Sequence, residues 1–163
     1  MRQYEITAKF LRFWMKHKFN ITKPNDNFID ADGKFWNQCV DLIRQYCKDV
    51  FWYIMPSLDR ARNLSSKQFP KNKRYEVEIW VDSFQMWDIV AVDLIPKNDN
   101  WHIFIIYQQT PDWFYYIDQN GIWWALNKNP DGSYIKKKWN WVERRFAKWN
   151  HFKILKAFRY LAS

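Results

Sequence analysis

Residues 37–51, NQCVDLIRQYCKDVF, decide the fold predicted for this chain. Asn37 is a residue type that caps helix N-termini, and the apolar positions after it recur every three or four residues. These positions are Val40, Ile43, Cys47 and Val50. The stretch therefore predicts an amphipathic helix that begins near Asn37 and turns one face towards a core.

A second amphipathic helix is predicted over residues 3–19, upstream of this stretch. Its apolar side chains form one stripe, and most of its basic side chains lie on the other side. The stripe consists of Ile6, Phe10, Phe13, Trp14 and Phe19. Residues 22–32 (TKPNDNFIDAD) are rich in Asn and Asp and contain Pro24, so they are expected to form a loop between the helices.

Downstream, three segments have the composition of β-strands: residues 88–95, 102–109 and 113–119. They are β-branched and aromatic and are separated by turn-rich loops, which favours consecutive antiparallel strands. Residues 152–160 (FKILKAFRY) add a closing strand, and a short helix is expected around residues 58–64. Because the helices come first and the strands follow, the predicted class is α+β.

The length of 163 residues fits one domain, with an N-terminal helix and linker (1–24) and a main body (25–163). With 48% hydrophobic and 21% aromatic residues, the chain is excluded from the disordered class. It has no apolar run of the about 18 residues that a membrane helix needs. The N-terminus lacks the apolar stretch of a secretory signal, so we expect synthesis in the cytoplasm without a signal peptide.

The two cysteines, Cys39 and Cys47, fall in the same predicted helix. Eight residues at about 1.5 Å rise place them roughly 12 Å apart, beyond the reach of a disulfide. Cys39 lies in the first turn, where the positive end of the helix dipole favours a thiolate, and Cys47 lacks this advantage. Cys39 is therefore the candidate nucleophile. The alternative is that it only packs, as cysteines on apolar helix faces more often do.

His102 is the candidate base, because it opens an apolar strand and can project from the sheet towards the end of the helix. Asp118 and Asn120 follow on the next strand, and either could orient the histidine ring. His17 and His151 lie in basic segments and are expected to be solvated. The alternative treats His102 as a structural histidine and the two later residues as ordinary turn residues.

Four motifs occur in order along the chain: DADGKFWNQCVDLIRQY (30–46), MWDIVAV (86–92), WHIFIIY (101–107) and YYIDQNG (115–121). Over roughly residues 28–121 this pattern resembles the CHAP family of cysteine- and histidine-dependent amidohydrolases and peptidases. The resemblance implies a papain-like fold with the helices packed on an antiparallel sheet. It also implies a peptidoglycan hydrolase, either an N-acetylmuramoyl-L-alanine amidase or an endopeptidase, that forms an acyl-enzyme on peptide stems. An endolysin-like, phage-derived enzyme of this kind acts on the cell wall and requires no organic cofactor.

Carried over residue by residue, the resemblance implies Cys39 as nucleophile and His102 as general base. Asp118 stands where the family usually has Glu, and Asn120 matches the family's Asn, so both would orient the histidine. Gln38 precedes the nucleophile as it does in the family. The backbone N–H of Cys39, at a helix N-terminus, would donate to the oxyanion.

Some members of the family bind calcium close to the Gln-Cys pair. The corresponding positions in this chain are Asp30, Asp32 and Asp41. Carboxylates suit an oxygen-seeking cation, so the resemblance implies a calcium site here. The alternative is an Asx-rich loop followed by an exposed helical aspartate.

At three motif positions where the family has glycine, this chain has tryptophan: Trp36, Trp87 and Trp101. The sequence contains 12 Trp and only 3 Gly, whereas ordinary usage gives about 7% glycine. Tryptophan is a poor substitute where glycine permits positive φ or a close backbone approach. One hypothesis is that a stop codon reassigned to glycine in the organism has been translated as tryptophan. The alternative is a tryptophan-rich protein that has repacked around these side chains.

The net charge of +9 predicts attraction to a polyanion, whether a cell-wall polymer, nucleic acid or acidic lipid. A competing hypothesis is therefore a nucleic-acid-binding module that uses basic residues beside aromatic ones, although no nucleic-acid motif accompanies them. These residues are Lys67, Lys71, Lys73, Arg74, Lys136, Lys137, Lys138, Trp139 and Trp141. Further alternatives are a catalytically impaired CHAP-like domain that binds wall peptides uncut, and a small-molecule amidase on the same fold.

Overall fold

Two α-helices precede a five-stranded antiparallel sheet within the described part of the chain. The computed structural model describes residues 1–18, 39–58, 61–65, 69, 83–94, 101–119 and 142–160. The helices are α1 (Gln3–Lys18) and α2 (Cys39–Phe51). The strands are β1 (Ile89–Leu94), β2 (His102–Gln109), β3 (Trp113–Asp118), β4 (Glu143–Lys148) and β5 (Phe152–Phe158). The predicted α+β class, with helices packed on an antiparallel sheet, is confirmed.

The strands lie in the order β4-β3-β2-β1-β5, and every neighbouring pair is antiparallel. β1 to β4 therefore follow one another as a meander, and β5 returns to the other edge beside β1. Ile89 of β1 is opposite Ile105 of β2 on one side and Phe158 of β5 on the other. β5 therefore lies at one edge of the sheet, beside the first strand of the meander.

The two helices pack on one face of this sheet. Side chains alternate between faces along a strand, so Ile89 and Ala91 of β1 and Ile103 and Ile105 of β2 point to the same side. They are buried in one cluster with the apolar stripes of α1 and α2. Full burial of each such isoleucine stabilises the fold by about 1.5–3 kcal/mol, so this layer holds α2 in place.

An aromatic cluster covers the opposite face of the sheet. Phe104, Phe114, Tyr116 and Phe152 come from three different strands and are buried together. Trp149, in a 3₁₀ turn between β4 and β5, stacks on Phe114 with ring centroids 4.1 Å apart. Both faces of the sheet are therefore packed, which agrees with the near-continuous apolar sequence of β2.

β4 was missed by the sequence analysis. Its sequence, ERRFAK, is largely charged, and its Phe146 is 52% exposed, so it has little of the apolar alternation that predicts a strand. It forms because its backbone pairs with β3, from Trp113 opposite Lys148 to Asp118 opposite Glu143. Charged side chains are common on such edge strands, where they discourage pairing with other chains. The short helix expected around residues 58–64 is reduced to a 3₁₀ turn at Ala61–Asn63.

A buried ion pair joins the end of the chain to the turn before β1. Asp88 is fully buried, and its carboxylate accepts hydrogen bonds from Arg159 Nε at 2.8 Å and Nη2 at 2.6 Å. The backbone N–H of Gln85 donates to the same carboxylate at 2.7 Å. Burial raises the pKa of Asp88, while the hydrogen bonds from Arg159 and Gln85 oppose that shift. The Asp-Ile-Val motif thus begins with a structural aspartate.

None of the helices described combines the length and the apolar character needed to cross a membrane.

We expect Arg159→Met to destabilise the fold by about 3 kcal/mol or more, because it leaves the buried carboxylate of Asp88 without its cation. The free energy of unfolding would be measured by urea denaturation. Lys153→Met, an exposed substitution in β5, the strand that ends just before Arg159, is the matched control and should change stability by less than about 0.5 kcal/mol. Equal losses in the two variants would contradict a structural role for the ion pair.

Candidate active site

Cys39 is the first residue of α2 and is partly exposed. Its backbone N–H is among the first four of the helix, which have no carbonyl partner within the helix. The positive end of the helix dipole stabilises negative charge at this position. An oxyanion that forms beside Cys39 is therefore favoured by the backbone itself.

His102 is the first residue of β2 and connects Cys39 to Asp118. Its Nε2–H donates to Asp118 Oδ2 at 2.8 Å, and its ring also shares a hydrogen bond with the Cys39 sulfur. Because Nε2 faces the carboxylate, Nδ1 is the ring atom available to the sulfur. The structure thus brings together three of the residues predicted for the site, and the shorter Asp118, in place of the Glu of the resembled family, reaches the ring.

The two hydrogen-bond partners of His102 together change its pKa more than its burial does. Burial alone lowers the pKa of a histidine, but the hydrogen bonds to Asp118 and Cys39, together with their charges, raise the pKa of His102 from 6.5 to about 9. At neutral pH the ring is accordingly an imidazolium between a carboxylate and a sulfur. A cation in this place holds a proton ready for a leaving group.

Asp118 has a second partner that the sequence analysis missed. Arg145 of β4 donates from Nε to Asp118 Oδ1 at 2.6 Å. The carboxylate is fully buried and lies between the guanidinium on one oxygen and the imidazole on the other. Arg145 was not predicted because β4 was not predicted. Only the pairing of β4 with β3 brings this arginine to the site.

Cys47 lies in a different environment although it shares a helix with Cys39. It is fully buried in the apolar cluster between helices and sheet. Burial raises the pKa of the Cys47 thiol to about 12, so it stays protonated at physiological pH. Neither cysteine forms a disulfide, as the spacing predicted.

Several predicted residues lie outside the described part of the chain. They are Gln38 and Asn120 of the catalytic set, Asp30 and Asp32 of the calcium site, Trp36, and the basic and aromatic residues of the nucleic-acid hypothesis. Asp41 is described and is only 1% exposed, so the alternative that made it an exposed helical aspartate is wrong. Within the described ranges, no three His, Cys, Asp or Glu side chains are placed to hold a metal ion.

His17 was expected to be solvated, and this expectation is also wrong. Its side chain is mostly buried, 3.5 Å from Asp49 at the far end of α2. Burial lowers the pKa of His17, and the nearby carboxylate of Asp49 opposes that shift. His17 is therefore part of the contact between the helices and not of the candidate site.

No protein-family model matches this chain, and no curated protein matches it either. Among solved structures it is similar to the wild-type endolysin LysIME-EF1, with a TM-score of 0.58 and 14% sequence identity. The similarity covers 93% of this chain but 63% of the endolysin chain, so this chain spans less than two thirds of that protein's length. At this identity the comparison establishes a shared fold.

The imidazolium of His102 should be visible by NMR as a ring that titrates near pH 9. Because this folded-state pKa lies above 6.5, the stability it contributes is fully present below pH 6.5 and is lost as the pH rises to about 9. Asp118→Asn removes a charged partner and should lower the pKa of the ring. A ring that titrates at 6.5 or below in the unmodified protein would contradict the charged pair.

Proposed function

We propose that this chain is a cysteine-dependent peptidoglycan hydrolase of the CHAP type, either an N-acetylmuramoyl-L-alanine amidase or an endopeptidase. The observation that carries the proposal is the contact of Cys39, at a helix N-terminus, with a histidine whose other ring nitrogen is held by a buried carboxylate. A nucleophile, a base and a group that orients the base are what amide hydrolysis through an acyl-enzyme requires. The fold shared with an endolysin, and the ordered CHAP-like motifs, support peptidoglycan as the substrate.

The first half of the reaction acylates Cys39. The thiolate attacks the carbonyl carbon of the scissile amide, and the negative charge that develops on the carbonyl oxygen is stabilised by the backbone N–H at the start of α2. His102 gives its proton to the departing amine as the C–N bond breaks. A thioester on Cys39 and a free amine are the products of this half.

The second half of the reaction hydrolyses the thioester and regenerates free Cys39. His102, now neutral, takes a proton from water, and the resulting hydroxide attacks the thioester carbonyl. The C–S bond breaks, the carboxylic product leaves, and the proton on His102 restores the original pair with the Cys39 thiolate. Asp118 keeps the ring oriented throughout and stabilises the imidazolium in both halves. Gln38 and Asn120 complete the site in this proposal, as the family resemblance implies.

The charge of the protein supports an anionic surface as the place of action. Besides the net charge of +9, α1 and α2 line a groove of about 500 Å³ with basic side chains. These are Lys9, Arg12, Lys16 and Lys48, and one acidic residue, Asp49, is paired with Lys16 at 3.1 Å. A basic groove attracts anionic cell-wall polymers over distances of about 8 Å at physiological salt. We infer that the protein acts at the bacterial cell wall, as a phage-type lytic enzyme does.

Cys39→Ala is expected to abolish the release of amines or peptides from purified peptidoglycan, with a loss of about 1,000-fold or more, since the nucleophile is removed. Cys47→Ala is the matched control in the same helix and should keep most of the activity, because that thiol is buried and protonated. Products would be identified by mass spectrometry with and without added calcium, and the new ends would name the bond.

Equal loss of activity in both variants would refute Cys39 as nucleophile. Release that is unaffected by Cys39→Ala would refute cysteine catalysis. Binding of wall fragments without any release would favour a binding domain over a hydrolase.

A further inference from the structure

We propose that Arg145 is a positioning residue of this site, acting on His102 through Asp118. The inference rests on the proposed function and adds a residue that the motifs do not include. Arg145 Nε donates to Oδ1 of Asp118 at 2.6 Å, while His102 Nε2 donates to Oδ2 at 2.8 Å. Each carboxylate oxygen thus has its own charged donor, and the plane of the carboxylate is set from both sides.

Burial makes this second donor necessary. Asp118 has no exposed surface, and a buried carboxylate without a cation is expensive to keep ionised. The guanidinium cannot lose its proton at physiological pH, so it supplies a constant positive charge. The buried carboxylate therefore keeps one cation beside it while His102 gives up and regains its proton. Loss of the ring proton would otherwise leave the buried carboxylate with no cation at all.

The sheet register explains why position 145 can do this. Arg145 is opposite Tyr116, and Asp118 is two residues along from Tyr116 on the same face of β3. The neighbouring Arg144 is opposite Ile117 and faces the other side, with its guanidinium carbon 5.1 Å from the ring centres of Tyr107 and Tyr115. One strand therefore presents two arginines, of which only one contacts Asp118 in the described structure.

The test compares Arg145→Met with Arg144→Met, using the titration of His102 by NMR, which needs no substrate. Arg145→Met should raise the pKa of His102 by about one unit or more, because deprotonation of the ring would then leave the buried carboxylate of Asp118 without any cation. It should reduce hydrolysis by about 10- to 100-fold, because the ring gives up its proton less readily. Arg144→Met should leave the titration of His102 unchanged. Arg145→Lys keeps the charge but not the fixed fork of the guanidinium, so a smaller shift in the same direction is expected.

An unchanged titration of His102 in folded Arg145→Met would overturn the role of Arg145. If that variant does not fold, Arg145→Lys decides in its place, and an unchanged titration there overturns the proposal. A shift in titration without any hydrolysis in the unmodified protein would leave Arg145 in its role and refute the proposed function, so the two failures are distinguishable.

A different observation carries a second inference: we infer that positions 52, 87 and 101 are glycine in the organism's own protein. In the described part of the chain, the non-glycine residues with positive φ are Trp52, Trp87 and Trp101, at 56°, 78° and 56°. Positive φ is uncommon outside glycine and is otherwise enriched in Asn, Asp and His, not in bulky residues. Two of these three are motif positions where the resembled CHAP family has glycine, and the third was not foreseen from the sequence.

Trp87 occupies the turn position that most strongly demands glycine. Residues 85–88 form a turn closed by a hydrogen bond of 3.1 Å from the N–H of Asp88 to the carbonyl of Gln85. The φ of 78° on its third residue, with Met86 not among the positive-φ residues, matches the pattern of a type II turn, which favours glycine or asparagine there. The indole N–H of Trp87 is buried without a hydrogen-bond partner in the described structure, which a native tryptophan rarely tolerates.

Trp52 occupies the helix-capping position that favours glycine. Its N–H donates to the carbonyl of Lys48 at 3.1 Å, which is the bond that ends a helix with a left-handed residue just past its last turn. Glycine is the usual residue at that place. Trp52 is 81% exposed, so its side chain gains little from packing that could offset the unfavourable backbone.

Other tryptophans provide the internal contrast. Trp149 has no positive φ, stacks on Phe114 at 4.1 Å, and donates from Nε1 to the carbonyl of Thr110 at 3.2 Å. Trp113 packs edge-on against Tyr115 at 4.9 Å. These side chains are used by the fold, whereas the backbone at positions 52, 87 and 101 is suited to glycine. One codon read as glycine and a different codon read as tryptophan would explain both groups.

The gene and the native protein decide this inference. We expect a stop codon at positions 52, 87 and 101, the tryptophan codon UGG at 113 and 149, and glycine at the first three positions in peptides from the source organism analysed by mass spectrometry. UGG at 52, 87 and 101, or tryptophan in those peptides, would overturn it. Neither readout depends on enzymatic activity.

Recombinant variants give an independent check on the backbone argument. Trp52→Gly should raise the midpoint of thermal unfolding, because it relieves a left-handed tryptophan at an exposed site. Trp149→Gly should lower it, because it removes a packed ring. A lower midpoint for Trp52→Gly would contradict the backbone argument at that position.

Discussion

The buried carboxylate of Asp118 is the constraint on which the candidate site depends. A charge with no exposed surface must be paired, and here the pairing is shared between an imidazolium on β2 and a guanidinium on β4. The three strands must therefore keep their register for the charge to remain compensated. The same pairing raises the pKa of His102 and so makes it a proton donor at neutral pH. The strand register and the acid–base chemistry of the candidate site therefore both depend on the pairing of Asp118.

The contrast between Cys39 and Cys47 shows how environment sets the role of a side chain. Both belong to α2, but Cys39 lies at its N-terminus beside a cation and Cys47 lies in the apolar layer against the sheet. The first position places the sulfur beside the ring of His102, and the second stabilises a neutral thiol. α2 can hold this arrangement because its apolar stripe is buried against β1 and β2. The packing of the helix and the reactivity of its first residue are thus linked.

The backbone around the site carries its own constraint. Trp87 precedes the buried Asp88, and Trp101 precedes His102. Both tryptophans have a left-handed backbone conformation. The carbonyl of Trp87 accepts a hydrogen bond from Tyr46 of α2 at 3.1 Å, so this turn also ties the helix to the sheet. Bulky residues at these places strain the connections that position the site. Glycine would let the same connections form without strain.

Local patterns in the sequence determined the two helices, three strands of the meander, the closing strand, and Cys39, His102 and Asp118 as candidates, because periodicity and helix position are properties of neighbouring residues. Only the tertiary structure decided β4, the pairing of Arg145 with Asp118, the burial of Asp41 and the left-handed backbone at Trp52. These depend on pairing and packing between residues far apart in the chain. A charged edge strand such as ERRFAK has no apolar period of its own, so its place is set by the strand beside it.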